Sequence, residues 1–263
     1  MGLFDFLKKK ETQQDNGSSK ILLAMPMFKN NDAYELKKVT DHLENFWGVT
    51  VSNVNGDNGN AVFDINGEMV ALAYMPVPIP SGDIQGTAQY AYNWMTAVED
   101  LKDHTGHAIV SVMAGQKSPL ERFKILSQVL CSILSTSNAV GIYQGGESLL
   151  LQKELYLQSV EDLQQGEIPV PIWIYIGLRK NENSNSGYTY GLTNFQKSEM
   201  EILNSNLDFE EIYGLLSNIS TYVIKNNVTF NNNETLGYTA DQKIKITLSK
   251  GQLVEGKTFK LQM

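Results

Sequence analysis

Residues 21–54 and residues 107–144 carry the same order of patterns: an apolar run, an amphipathic stretch and a second apolar run. Short apolar runs are typical of strands, whereas apolar residues spaced three and four apart are typical of helices. Each segment therefore predicts strand–helix–strand, and each is followed by patterns for a further strand, a helix and another strand. This βαββαβ order predicts a ferredoxin-like unit that occurs twice.

The clearest predicted helix covers residues 118–135. Ser118 and Glu121 have the spacing of a capping box, and Pro119 stands at the first helical position, where its missing N–H costs nothing. Apolar residues at helical spacing predict another helix over residues 86–104. These helices lie between the apolar runs and would cover the sheet.

Strands and helices do not alternate strictly along the chain, which argues against a doubly wound parallel sheet. We predict an α+β fold with mostly antiparallel sheets, helices on one face, two ferredoxin-like units and a C-terminal extension. The predicted organisation is a flexible leader and linker over residues 1–19, an N-terminal α+β unit over residues 20–106 and a C-terminal α+β unit over residues 107–263.

The chain is acidic, with a formal net charge of −8 and a pI near 5.0. Domains that bind nucleic acid normally present a basic face, and Lys8–Lys10 is the longest basic run, so we expect no nucleic-acid partner. The charge is compatible with a basic protein partner. Cys131 is the single cysteine, which excludes an intramolecular disulfide and a cysteine-based zinc site and fits a reducing compartment.

The first ten residues, MGLFDFLKKK, do not resemble a secretory signal, because the lysines follow the apolar residues and no small-residue cleavage site comes after them. No apolar run approaches the roughly 18 residues that a membrane span needs, and we predict a cytoplasmic protein. Residues 1–10 could form a weak membrane or partner anchor. A frayed end is the favoured interpretation, because so short a helix is marginal alone.

No glycine loop for phosphates and no nucleophile-elbow motif is present in the sequence. Carboxylates occur in two groups: Asp208, Glu210 and Glu211 at a predicted helix start, and Glu199 and Glu201 on one face of a predicted strand. Paired carboxylates can do acid–base chemistry or hold a hard metal ion. No partner for them is evident, so we predict a solvated face.

The stretch HTGHAIVSV, residues 104–112, places two of the three histidines three positions apart. His104 and His107 are weak metal candidates, because imidazole is a common zinc ligand. We interpret His104 as the end of a helix before Gly106, and His107 as the start of a strand. Spacing suggests no third ligand, so we predict no metal, no cofactor and no catalytic residue.

Several stretches together resemble a bacterial family, the domain of unknown function 4261. They are GTAQYAYNW (86–94), HTGHAIVSV (104–112), AVGIYQGGESLL (139–150), IPVPIWIYIGLR (168–179), YTYGLTNFQKSEMEI (188–202) and LGYTADQKIKITLS (236–249). The resemblance covers residues 20–263, with the named domain in the C-terminal part. The family has no established reaction, so the resemblance implies no site residues. It implies a non-enzymatic protein that acts through its surface, in toxin–immunity neighbourhoods.

The resulting expectation is a cytoplasmic bacterial protein-binding module, of the immunity type that neutralises a toxin. The alternative is a metal-dependent or hydrolytic enzyme that uses His104, His107 and nearby carboxylates. Bound metal and histidines that converge on one point would favour the enzyme.

Overall fold

A computed structural model describes the chain over residues 21–113, 115–238 and 242–262. The predicted leader over residues 1–19, with the candidate anchor at residues 1–10, lies outside the described residues. The described part consists of helices and of sheets that are mostly antiparallel, which confirms the predicted α+β class.

The first sheet contains seven of the described strands. They are β1 (Leu22–Lys29), β2 (Val51–Gly56), β3 (Asn60–Ile65), β4 (Glu68–Met75), β5 (His104–Val112), β6 (Ala139–Gln144) and β7 (Leu149–Gln152). Their order is β2-β3-β4-β5-β1-β6-β7, and all neighbours are antiparallel. In β3, Ala61, Phe63 and Ile65 are buried at alternate positions, as expected where one face of a sheet packs on a core.

The second sheet contains the six remaining described strands. They are β8 (Tyr175–Lys180), β9 (Asn185–Tyr190), β10 (Met200–Ser205), β11 (Thr235–Gly237), β12 (Lys243–Lys250) and β13 (Lys257–Gln262). Their order is β11-β12-β13-β10-β9-β8. The β10–β13 pair is parallel, with Met200 opposite Phe259, and the other pairs are antiparallel.

Helices cover these sheets. Those described are α1 (Leu36–Trp47), α2 (Ser81–Ala88), α3 (Ala97–Leu101), α4 (Pro119–Thr136), α5 (Lys153–Gln158), α6 (Val160–Gln165), α7 (Val170–Trp173) and α8 (Phe209–Lys225). α1 and α4 pack together against the first sheet, and α8 packs on β8 and β9. The predicted capping box of α4 is confirmed: Ser118 Oγ accepts from the Glu121 amide, and the Glu121 carboxylate accepts from the Ser118 amide.

The helices do not all lie on one face of the first sheet, contrary to the prediction. β1 sends Ala24 and Phe28 into the main core with α1 and α4, but sends Met25 and Met27 into a second core. The second core is completed by residues of α2, α3 and their connection, including Trp94. Both faces of the sheet centre are apolar, so both need a helical cover.

The first sheet draws its strands from both predicted units. β1 and β5 are adjacent and antiparallel, with Ala24 opposite Val110. The predicted boundary between residues 106 and 107 falls inside β5, and one continuous sheet extends from Leu22 to Gln152. The two separate ferredoxin-like sheets that the sequence suggested are therefore not seen.

The predicted helix over residues 86–104 is replaced by the two short helices α2 and α3. Between them the chain forms turns, with the Trp94 amide donating to the Ala91 carbonyl at 2.8 Å. Ala91 and Trp94 are buried, whereas Tyr90 and Tyr92 are partly exposed. The buried residues of this stretch still stand three and four positions apart (Thr87, Ala91, Trp94, Ala97 and Leu101), so the apolar spacing predicts one helix and gives no sign of the interruption.

Cys131 lies in the middle of α4 and is fully buried, as predicted. Burial raises the pKa of its thiol to about 12, so it packs as a small apolar side chain. Among the described residues, no helix has the length and apolar character required to cross a membrane.

Candidate functional site

His104 and His107 both lie in β5, so the prediction that His104 ends a helix is wrong. The ring of His104 accepts a hydrogen bond from the Ile79 amide (Nε2, 2.8 Å) and donates one to the Leu101 carbonyl (Nδ1, 2.5 Å). His107 Nδ1 donates to the Val77 carbonyl at 2.9 Å. The two histidines thus fasten the extended segment that follows β4 to the edge of the second core.

These contacts leave little capacity for a metal ion. Both nitrogens of the His104 ring are hydrogen-bonded within the chain, and the described residues contain no group of three His, Cys, Asp or Glu side chains able to hold a metal. Burial lowers the pKa of His107, which keeps its imidazole neutral as a donor to the Val77 carbonyl. The carboxylates expected near the histidines do not join them.

Glu199 and Glu201 are buried, so the predicted solvated face is wrong. Glu199 is 4% exposed and Glu201 is fully buried. Each carboxylate receives hydrogen bonds from a loop, Glu199 from residues 189–193 just before it and Glu201 from residues 252–254. These bonds offset the cost of taking a charge out of water. By contrast, Asp208 and Glu211 form an exposed capping box at the start of α8, consistent with the predicted role at a helix start.

Glu201 holds the loop between β12 and β13. Its carboxylate accepts from the amides of Gln252 (3.0 Å), Leu253 (2.7 Å) and Val254 (3.0 Å), all through Oε1. Its other oxygen accepts from Thr258 Oγ1 at 3.1 Å and pairs with the buried ammonium of Lys260 at 2.9 Å. Burial acts to raise the pKa of Glu201, but these donors outweigh burial and the pKa is lowered.

Glu199 holds the chain that follows β9. One carboxylate oxygen accepts from Thr189 Oγ1 at 2.7 Å, and the other accepts from the amides of Gly191 (2.8 Å) and Thr193 (3.2 Å). Gly191 has a φ of 121°, a conformation that favours glycine and turns these amides toward the carboxylate. Among the described residues no cation pairs with Glu199, and burial raises the pKa of its carboxyl despite the hydrogen bonds.

Residues of the two loops held by these carboxylates line one cleft of about 380 Å³, which we term the tyrosine cleft (Tyr90, Tyr175, Tyr188, Tyr190, Val254 and Glu255). Tyr90 comes from the α2–α3 connection beside the first sheet, and the others come from the second sheet and its loops. Glu199 itself lies at the cleft lining. The cleft therefore lies at the junction of the two sheets, and the buried carboxylates of Glu199 and Glu201 hold the backbone of its loops in place.

The rings of the tyrosine cleft stand at steep angles to one another. Tyr175 is central: Tyr90 lies 5.7 Å from it at 71°, and Tyr188 lies 6.0 Å from it at 67°, both edge to face. Such pairs are favourable because the positive ring edge meets the negative ring face. Burial raises the pKa values of Tyr175 and Tyr188, so the hydroxyls stay protonated at neutral pH.

The charge of the cleft is negative. Of the residues that the structure describes, the lining contains Glu199 and Glu255 and no lysine, arginine or histidine. Glu255 is exposed at the tip of the loop that Glu201 holds. An acidic lining around aromatic faces attracts positive charge.

Residues 188–262 match the model of a family described as a domain of unknown function, DUF4261. The predicted resemblance is thereby confirmed over this C-terminal segment. The DUF4261 segment supplies Tyr188, Tyr190, both buried carboxylates and the loop at residues 252–255. Comparison with curated proteins and with solved structures gave no match.

The tyrosine cleft was not predicted from the sequence, although one signal was present. Two tyrosines stand two positions apart at Tyr188 and Tyr190, in the predicted strand YTYGL. Residues two apart in a strand share a face, and tyrosine is enriched at binding surfaces.

Proposed function

We propose that the protein is a protein-binding module and that the tyrosine cleft is its binding surface. The observation that carries the proposal is the construction of the cleft: three tyrosines of the second sheet and Tyr90 of the α2–α3 connection line one space, and two buried carboxylates hold the loops beside it. A preorganised surface loses less conformational entropy on binding, which favours affinity. Tyrosine is well suited to this role because it offers large, rigid and amphipathic contact area.

Exposed apolar side chains beside the cleft extend the proposed surface. Tyr92 is 47% exposed and Met95 is 86% exposed, and both belong to the α2–α3 connection that carries Tyr90. Methionine and tyrosine are enriched at protein–protein interfaces. A methionine as exposed as Met95 buries almost no apolar area in the fold and so contributes little to its stability. These residues support an interface wider than the cleft itself.

The lining favours binding over hydrolysis. The described residues that line the tyrosine cleft include no histidine or cysteine, and the Glu199 carboxylate already accepts from Thr189, Gly191 and Thr193. A nucleophile without a positioned base is weak at neutral pH. The alternative enzyme based on His104 and His107 would require the His104 imidazole to give up its bond to the Ile79 amide or to the Leu101 carbonyl.

The proposal extends to a bacterial cytoplasm and to an immunity-type role, in which the module occupies the surface of a toxin. The buried single thiol is compatible with a reducing compartment. The net charge of −8 would favour association with a basic toxin and would raise the association rate at low salt.

The test is a pull-down of the proteins encoded beside the gene, using the full chain as bait. We expect a specific partner that binds the wild-type chain and loses at least about tenfold in affinity with Tyr90→Ala plus Tyr190→Ala, because truncating central interface tyrosines typically costs about 2 kcal/mol. Tyr222→Ala is the matched control, since Tyr222 is 42% exposed on α8, outside the cleft lining. Equal loss in both variants, or none in either, would contradict the assignment of the cleft.

A further inference from the structure

We infer that the tyrosine cleft receives a cationic side chain, arginine or lysine, from a basic segment of the protein partner. The inference rests on the proposed binding function and specifies what the cleft recognises. Three observations support it: the arrangement of the rings, the charges around them and the size of the space.

The rings of four tyrosines line one space: Tyr90, Tyr175, Tyr188 and Tyr190. Tyr90 and Tyr188 each meet Tyr175 edge to face, at 71° and 67°, so neither ring is stacked flat on Tyr175. Aromatic faces carry the negative part of the ring quadrupole and attract a cation placed within about 6 Å of the ring centre. Rings arranged around one space recognise ammonium and guanidinium groups better than a single ring does.

The charged groups of the cleft agree with a cationic occupant. Glu255 lies at the rim, where its exposed carboxylate can pair with an entering cation. Glu199 also lines the cleft, and its buried carboxylate makes the electrostatic potential there more negative. An anionic segment would meet these two carboxylates without any lysine or arginine in the lining to offset them.

The space fits a side chain and the backbone beside it. Sites for small ligands typically range from about 300 to 1,000 Å³, so about 380 Å³ is at the lower end. Tyrosine hydroxyls at the rim can accept hydrogen bonds from guanidinium or ammonium donors. An apolar side chain would bury the Glu255 carboxylate without a partner, which is unfavourable.

The experiment titrates the full chain, labelled in its tyrosine rings, with N-acetyl-arginine amide and with its neutral isostere N-acetyl-citrulline amide, observed by NMR. We expect arginine amide to shift the ring signals of Tyr90, Tyr188 and Tyr190 and to bind about tenfold or more tightly than citrulline amide. N-acetyl-lysine amide and N-acetyl-norleucine amide form a second charged and neutral pair.

Variants separate the ring contribution from the charge contribution. Tyr90→Phe keeps an aromatic face and should retain binding of arginine amide, whereas Tyr90→Leu removes the face at similar volume and should weaken binding about fivefold or more. Glu255→Gln should weaken binding about threefold, with the largest effect at low salt. Glu182→Gln is the matched charge control, because Glu182 is exposed in the β8–β9 loop away from the cleft lining.

The outcomes distinguish this inference from the proposed function. Citrulline or norleucine binding as tightly as the charged amides would overturn the inference, while the partner could still bind through the cleft. Failure of all four amides to shift the cleft tyrosines, with the pull-down still dependent on Tyr90 and Tyr190, would also overturn the inference alone. Loss of that dependence in the pull-down would overturn the proposed function.

Discussion

Glu201→Ala is expected to lower the free energy of unfolding by about 3–5 kcal/mol, the range for breaking a buried ion pair from one side. The substitution leaves the Lys260 ammonium, only 7% exposed, without its carboxylate. It also removes the acceptor of three amides at residues 252–254, each of which is costly to leave unsatisfied. Urea denaturation followed by circular dichroism measures the change.

Two further variants make this prediction specific. Lys260→Met added to Glu201→Ala should recover part of the loss, because no buried charge then remains unpaired. Glu182→Ala removes an exposed carboxylate from the β8–β9 loop and should change the unfolding free energy by less than about 0.5 kcal/mol. A loss below about 1 kcal/mol for Glu201→Ala would contradict the role assigned to this carboxylate.

The dependence on pH has opposite signs for the two buried carboxylates. The pKa of Glu201 is lowered in the fold, so its contribution to stability is present above the unfolded pKa and is lost as the pH falls through the folded pKa. The pKa of Glu199 is raised by burial, so stability falls as the pH rises from the unfolded pKa through the folded pKa. Glu201→Gln should therefore weaken the acid-induced loss of stability, and Glu199→Gln should not.

Gly251→Ala is expected to destabilise the protein by about 1–3 kcal/mol and to weaken partner binding, because it displaces one wall of the cleft. A Cβ at position 251 would lie 1.9 Å from the backbone oxygen of Val254, a distance that no side-chain adjustment can relieve. The amides of residues 252–254 would have to move away from Glu201. Denaturation and the partner pull-down measure the two effects.

The matched control for this change is Gly214→Ala. A Cβ at position 214 meets nothing within 4 Å, and Gly214 lies inside α8. Alanine there should stabilise the protein by about 0.5–1 kcal/mol, because glycine is a poor residue in a helix interior. If Gly251→Ala were as harmless as Gly214→Ala, the loop would not be fixed in the manner described.

The sequence predicted those parts of the fold that depend on neighbouring residues. The helix expected over residues 118–135 is observed at Pro119–Thr136, because its capping box and its apolar spacing are local. The predicted domain boundary at residue 106 was wrong because it depends on contacts between distant residues. β5 is held by pairing with β1 and β4, and such pairing cannot be deduced from a local sequence pattern.

The candidate site was less predictable because its determinants are distant in sequence. From the sequence alone, a glutamate such as Glu201 is expected at the surface. Its hydrogen-bond donors, the amides of residues 252–254 and the Lys260 ammonium, lie about 50 residues further along the chain. The tyrosine cleft likewise combines Tyr90 of the α2–α3 connection with Tyr175 and Tyr188 of the second sheet, which are about 85 to 100 residues further along the chain. The spacing of His104 and His107 made them candidate metal ligands, but in the structure each ring is hydrogen-bonded to the backbone of residues 77–79.

Site-specific photo-crosslinking tests the central claim, that the tyrosine cleft is the binding surface, most directly. A chain carrying p-benzoylphenylalanine at position 190 in the cleft is compared with one carrying it at position 222 on α8, each mixed with the purified partner from the pull-down. We predict a crosslink from position 190 that free N-acetyl-arginine amide competes away, and none from position 222. A crosslink from position 222 and none from position 190 would contradict the account.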